Sequence, residues 1–371
     1  MKSGKLKILM TTDTIGGVWV YSYELCKELQ NYDVEVHLAA MGAWPTEAQE
    51  EKMRELKNVI LYKSEFKLEW MQDPWEDVEN ANKWLHSIYQ TAKPDLIHFN
   101  NYAGVEKYDD TPMITVFHSC ISTWWQAVKY TAIPEEYHTY SQIVQEALNT
   151  SDLVVAPTEA ILEKAKHAHQ ITAETRVISN GISEINSEEK EKEPFILCSG
   201  RIWDEGKNLL SISKIAKDLS WPVYIAGNNK NPNTDEILEM ENVHFLGSLK
   251  PEEVRDWMKR ASIFVSPTKY EPFGLAALEA AMEGCALVIS DIDTFQEIWE
   301  DSAIYFDPEN SEEAKEAIIK LIENPELLHA FAEKAKDKSA FYNSKKMTAA
   351  YFGLYHELIT RKKVEQKPVT V

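Results

Sequence analysis

Short apolar runs of Val, Ile, Leu and Ala alternate with longer amphipathic stretches along almost the whole chain. The short runs are bounded by Gly, Asn, Asp and Ser and read as strands. They fall at Lys7–Thr11, Val34–Ala39, Val59–Tyr62, Leu96–Phe99, Met113–Phe117, Leu153–Ala156 and Arg176–Ile178. Helical spacing lies between them, as in Val18–Leu29, Val78–Thr91, Glu135–Leu148 and Thr158–His167. Such alternation predicts parallel α/β layers with helices on both faces of the sheet.

The alternation stops at Ser183–Glu193, a stretch of Ser, Glu, Lys and Asn, and then restarts. The second series of strands is Phe195–Ser199, Val223–Ala226, Val243–Leu246, Ile263–Ser266, Leu287–Ser290 and Ile304–Phe306. Helices are expected from Leu209 and over Pro251–Ala261, and the chain is helical from Ser311. The expected organisation is a doubly wound domain over 1–182, a linker over 183–193, a second such domain over 194–344 and a C-terminal helix over 345–371. Val364–Val371 reads as a loose tail. Two such domains would face a cleft, with ligands at the C-terminal ends of the strands.

One segment carries chemistry that the periodicity does not require. In Tyr270-Glu271-Pro272-Phe273-Gly274-Leu275-Ala276-Ala277-Leu278-Glu279, two carboxylates stand eight positions apart around a Pro-Phe-Gly turn. The Ala- and Leu-rich run that follows favours helix, and Pro272 suits a helix start, so the helix is expected from Phe273. Its free N–H groups and positive dipole end suit a phosphate. Glu279 would then lie roughly 10–12 Å further along at ~1.5 Å per residue. A ligand touching all three points is long, with hydroxyls at both ends and phosphate between them, as in a nucleotide-diphosphate sugar. The segment resembles the Glu-x7-Glu signature of retaining glycosyltransferases of the GT-B fold, family GT4 in particular. The resemblance implies that Glu271 contacts the donor sugar, Glu279 the ribose, and Phe273, Gly274 and Leu275 the phosphate through their backbone. It also implies that the last helix, around Met347–Leu358, crosses back to the N-terminal domain.

Further positions match the same family. Ser199-Gly200-Arg201, with Lys207 six positions later, resembles the Gly-Arg…Lys loop that holds the donor phosphates. Fixed cations at such a loop would neutralise a departing diphosphate without a metal. The turns at Ala226-Gly227 and Leu246-Gly247 resemble those that hold the base. Gly16-Gly17 resembles the loop that closes over donor and acceptor, and His118 the histidine that touches the transferred sugar. His98, at another strand end, would stand behind the site. Trp19, Trp124 and Trp125 are candidates for an acceptor platform. Asn180-Gly181-Ile182 resembles the family's Asn-Gly turn, with Ser183 where an acid usually follows.

Composition narrows the partners. The chain has 371 residues, 44% hydrophobic and 27% charged, and a net charge of −21. That charge repels nucleic acid and anionic membrane surfaces. No apolar run approaches the ~20 residues of a membrane span, and Met1–Lys7 is not of signal-peptide type. Four scattered cysteines lack metal-ligand spacing and read as reduced thiols of a cytoplasmic protein. The stretch after Gly17 has Lys27 as its only base, against Glu24 and Glu28, which favours a small-molecule or saccharide acceptor over a lipid. Asp291-Ile292-Asp293 leaves open a metal-dependent GT-A transferase, and a GT-B nucleotide-sugar epimerase is a further alternative. The expectation is a metal-independent, retaining transferase with no cofactor. It would use a nucleotide sugar, UDP being the family's commonest nucleotide.

Overall fold

The computed structural model describes residues 5–184, 190–231 and 236–365. The chain groups into two compact units. One holds the residues up to Thr123, Ala132–Ser183 and those from Ser344 onward; the other holds Trp124–Thr131 and Glu184–Asn343.

In the first unit, β1 (Leu6–Asp13), β2 (Val34–Met41), β3 (Val59–Lys63), β4 (Leu96–Phe99), β5 (Met113–Val116), β6 (Leu153–Ala156) and β7 (Glu174–Val177) form one parallel sheet. Its order is β3-β2-β1-β4-β5-β6-β7. The helices are α1 (Gly17–Leu29), α2 (Glu47–Arg54), α3 (Trp75–Ala92), α5 (His138–Thr150) and α6 (Glu159–Ala168), and α4 (Ile121–Lys129) begins in this unit and belongs to the other from Trp124. Burial on both faces explains why the strands read as continuous apolar runs: every residue of β4, β5 and β6 is buried. The strand order reverses between β1 and β4, and a crevice opens at such a point.

The second unit repeats the plan with β8 (Glu193–Ser199), β9 (Val223–Ala226), β10 (His244–Gly247), β11 (Ala261–Ser266), β12 (Ala286–Ser290) and β13 (Ile304–Phe306), in the order β10-β9-β8-β11-β12-β13. Its helices are α7 (Leu210–Ile215), α8 (Pro251–Arg260), α9 (Leu275–Met282), α10 (Asp293–Trp299), α11 (Ser311–Ile322) and α12 (Pro325–Ser339). Here the reversal lies between β8 and β11.

The chain ends in α13 (Ser344–Glu365), which belongs to the first unit. Tyr351, Leu354, Tyr355 and Leu358 of α13 share a core with Trp19, Tyr21 and Leu25 of α1. The two chain crossings meet there. The Ser183 N–H donates to Glu24 at 3.0 Å, the Ser344 hydroxyl donates to Glu28 at 3.1 Å, and the Ser344 N–H bonds the Ile182 carbonyl.

Two boundaries differ from expectation. Helix α9 begins at Leu275, not Phe273. Gly274 caps it at φ 92°, and Phe273 is buried edge-on against Tyr342, so Pro272 and Phe273 stay in the preceding loop. Asp293 opens α10, a helix that the sequence pattern did not mark. Of the predicted linker and tail, residues 185–189 and 366–371 lie outside the described residues.

Backbone meets backbone at Gly227. A Cβ built there, at φ +153°, would stand 1.7 Å from the Gly200 carbonyl oxygen. Gly247, also at positive φ, has open space at that position. Gly227→Ala should therefore destabilise the protein by more than about 3 kcal/mol, and Gly247→Ala by about 1 kcal/mol, as read by urea denaturation of each variant.

Candidate active site

In the second unit the predicted residues converge where the strand order reverses. The loop after β8 carries Arg201 and Lys207, and the loop after β11 carries Glu271 and Gly274. The Lys207 ammonium donates to the Glu271 carboxylate at 2.5 Å, with both side chains largely buried. A Cβ at Gly274 would lie 3.4 Å from the Glu271 Cγ and 2.6 Å from Phe295, so only glycine lets the α9 N-terminus approach so closely. The Thr294 hydroxyl donates to the Glu271 carbonyl at 2.6 Å and fixes that loop. Lys207, Glu271 and the first turn of α9 thus form one cluster of cation, carboxylate and free N–H groups.

Asp204 orders the loop after β8. Its carboxylate accepts from Arg201 at 2.8 Å, from the Gly206 N–H at 2.9 Å and from the Trp124 indole at 3.1 Å. The Arg201 guanidinium lies 5.3 Å from the Trp203 ring centroid and keeps 42% of its side chain exposed, so it remains open to an anion. The Gly200 N–H bonds the Ala226 carbonyl, and the Gly227 N–H bonds the Gly247 carbonyl. These bonds tie the turns at Gly227 and Leu246 to the cation loop. Glu279, half-buried about one turn into α9, faces Arg255 of α8 at 3.9 Å.

In the first unit, Gly16 and Gly17 are exposed at the start of α1, with Gly16 at φ 97°. His118 follows β5 and is half-buried; its Nε2 lies 2.8 Å from Asn100 Oδ1. Its ring meets Tyr21 edge-on at 4.7 Å. Burial holds its pKa well below the usual histidine value, so the ring is neutral at pH 7.

The three tryptophans expected as an acceptor platform are placed otherwise. Trp19 is 6% exposed and packs in the core with α13, because α1 turns that face inward, so it offers no platform. Trp124 and Trp125 are half-buried in the segment of α4 that belongs to the second unit; Trp124 is committed to Asp204 and Trp125 to Thr131. His98 is fully buried between Tyr355 at 2.8 Å and Tyr21 at 3.2 Å, and burial pushes its pKa down to about 3. It is a neutral core residue out of reach of a ligand. Of the Asp291–Asp293 pair, Asp291 accepts from Gln296 and Asp293 opens α10, and among the described residues no group of three or more His, Cys, Asp or Glu could hold an ion.

Several functional candidates escaped sequence reasoning. Asp204 could have been read from its turn, Trp203-Asp204-Glu205-Gly206. Arg255 lies 24 positions before Glu279 and carried no local signal. Asn101 follows β4 at the strand reversal; it is 6% exposed, and neither atom of its amide has a partner. Buried beside it, Glu69 accepts from the Tyr102 N–H at 3.0 Å through one oxygen and leaves the other unpartnered. Desolvation raises the Glu69 pKa.

An unsatisfied buried amide costs about 1–3 kcal/mol. Asn101→Leu, of similar shape, should therefore raise stability by about 1–2 kcal/mol, as read from the urea midpoint at unchanged slope. His98 gives a pH prediction. Its folded pKa lies below the unfolded ~6.5, so the unfolded chain binds the extra proton, and stability is full above pH ~6.5 and falls below it. For His98 the loss between pH 7 and 5 is about 2 kcal/mol, and His98→Gln should show a loss smaller by about that amount.

The family model for glycosyl transferases group 1 matches residues 182–338, and that for glycosyltransferase family 4 matches residues 15–184. An N,N'-diacetylbacillosaminyl-diphospho-undecaprenol alpha-1,3-N-acetylgalactosaminyltransferase of Campylobacter jejuni is 27% identical over 46% of this chain, so the chain spans about half the length of that relative. An uncharacterized glycosyltransferase of Methanocaldococcus jannaschii is 24% identical over 95% of this chain and 99% of its own length. Among solved structures, sucrose-phosphate synthase of Thermosynechococcus elongatus superposes with a TM-score of 0.77 at 16% identity, covering 96% of this chain and all of that one. The two parallel doubly wound units set aside the GT-A reading of Asp291 and Asp293. The chain belongs to the group 1 glycosyltransferases, family 4, with the GT-B architecture.

Proposed function

We propose that this protein transfers a sugar, with retention of anomeric configuration, from a nucleotide-diphosphate sugar to an acceptor hydroxyl. The observation that carries the reading is the convergence of Lys207, Glu271 and the α9 N-terminus, with Arg201 on the same loop as Lys207. Such a cluster suits a diphosphate whose charge rises as the glycosidic bond breaks. Arg201, Lys207 and the N–H groups at Phe273–Leu275 take up that charge. Lys207 then turns from Glu271 toward phosphate and frees the carboxylate to orient sugar hydroxyls. Glu279 takes the ribose, and His118 a hydroxyl of the transferred sugar. The proton of the acceptor passes to the departing phosphate oxygen, so no enzyme nucleophile and no metal is required. UDP is the first nucleotide to test, and GDP the second.

The acceptor we favour is a saccharide. The Campylobacter relative is named for an acceptor on undecaprenol diphosphate. Here the net charge of −21 opposes approach to an anionic bilayer. No helix among the described residues is long and apolar enough to cross a membrane.

Calorimetry with UDP and GDP, followed by donor hydrolysis, tests the reading. At least one nucleotide should bind, hydrolysis should persist in EDTA, and Arg201→Ala should lose ~10²–10³ in rate with the fold intact. Binding of neither nucleotide, or wild-type turnover in Arg201→Ala, would refute it.

A further inference from the structure

We propose that Asn100 locks His118 as its Nε2–H tautomer, so that Nδ1 meets the sugar as an obligate hydrogen-bond acceptor. The inference rests on the nucleotide-sugar reading above and specifies what one of its residues can do.

The argument runs through the Asn100 amide. One end lies 2.8 Å from the Thr11 carbonyl, which can only accept, so that end is the NH₂. The reverse orientation would oppose two carbonyl oxygens at that distance. The other end, Oδ1, lies 2.8 Å from His118 Nε2 and can only accept, so Nε2 carries the proton. The Asn100 backbone N–H also donates to the Thr11 hydroxyl at 3.0 Å, so main chain and side-chain amide are both fastened to Thr11. The anchor is the β1–β4 pairing at the strand reversal.

The surroundings keep the ring neutral. Tyr21 of α1 faces it edge-on, and His98 of β4 shares Asn100 Oδ1 at 3.3 Å and is itself neutral. No carboxylate among the described residues pairs with His118, and burial lowers its pKa. A neutral ring with Nε2–H leaves a lone pair on Nδ1. Nδ1 therefore accepts from a sugar hydroxyl and cannot donate a proton to a leaving phosphate. The site favours sugars that keep a hydroxyl at that point, and the departing charge falls to cations elsewhere. Asn100 is a positioning residue in this scheme.

Long-range ¹H–¹⁵N correlation on the full chain labelled at histidine nitrogens tests the tautomer without a variant. The wild type should show His118 protonated at Nε2 and bare at Nδ1, unchanged from pH 5 to 8. A protonated Nδ1, a mixture of tautomers, or titration in that range would overturn the proposal. In Asn100→Asp the added carboxylate should raise the His118 titration midpoint by more than one pH unit, a shift above tenfold in its protonation equilibrium. Asn100→Ala should mix the tautomers; an unchanged spectrum in both variants would also overturn it. Calorimetry separates sugar from nucleotide. Asn100→Ala should weaken whichever of UDP-glucose and GDP-mannose the wild type binds by about tenfold, and leave free UDP or GDP unchanged. Equal loss on both, or on neither, counts against the assignment. If the wild type binds no nucleotide at all, the functional reading fails, and the tautomer measurement still decides the Asn100 claim.

Discussion

A parallel sheet covered on both faces has one place to put polar chemistry, and both units obey that constraint. Along β4, β5, β6 and β12 no residue is exposed, and the backbone groups are consumed by the ladders. Loops become free to face a ligand at the C-terminal strand ends, above all where neighbouring connections run opposite ways. In the second unit that point lies between β8 and β11, and the loops leaving those strands carry Arg201, Lys207, Glu271 and Gly274. In the first unit it lies between β1 and β4, and the loops there carry Gly16, Gly17, Asn100 and Asn101.

Local electrostatics then does what net charge does not. The chain is strongly acidic, yet the cations of the second unit's site are placed with care. Arg201 is oriented by Asp204 and still open, and Lys207 is held by Glu271 in a partly buried pair. Exposed ion pairs such as Lys83–Glu79 contribute little, because water and salt screen them. The Lys207–Glu271 pair differs in being partly desolvated and in joining two loops 64 residues apart. It holds both groups together in a neutral arrangement.

The first unit uses neutrality instead. His98 and His118 are kept uncharged by burial, and Asn100 stands between them. A neutral imidazole of defined tautomer is a directional hydrogen-bond partner, where an imidazolium would be a second cation. The unpartnered Asn101 and Glu69 beside it carry a stability cost that a well-packed apolar core would not have. Polar groups left in that state are expected at sites kept for binding rather than for stability.

Much of this was legible in the sequence, for physical reasons. Continuous apolar runs marked the strands, because both faces of a parallel sheet are buried, and β4, β6 and β13 fall at the residues the pattern predicted. The Glu271–Glu279 segment and the Gly-Arg…Lys loop were visible because backbone approach demands glycine, and anion binding demands cations, at short sequence separations. What depended on distance in the chain was not legible. The pairing of Lys207 with Glu271, Arg255 facing Glu279 and the tautomer of His118 are set by which strands lie side by side. The same holds for Trp19, whose aromatic face looked like a sugar platform until α13 covered it. Sequence alone determined the periodicity, the glycine positions and the identity of the charges. Tertiary structure decided which charges meet, which aromatics are covered and which nitrogen holds the proton, because burial and hydrogen-bond geometry arise only when remote segments pack.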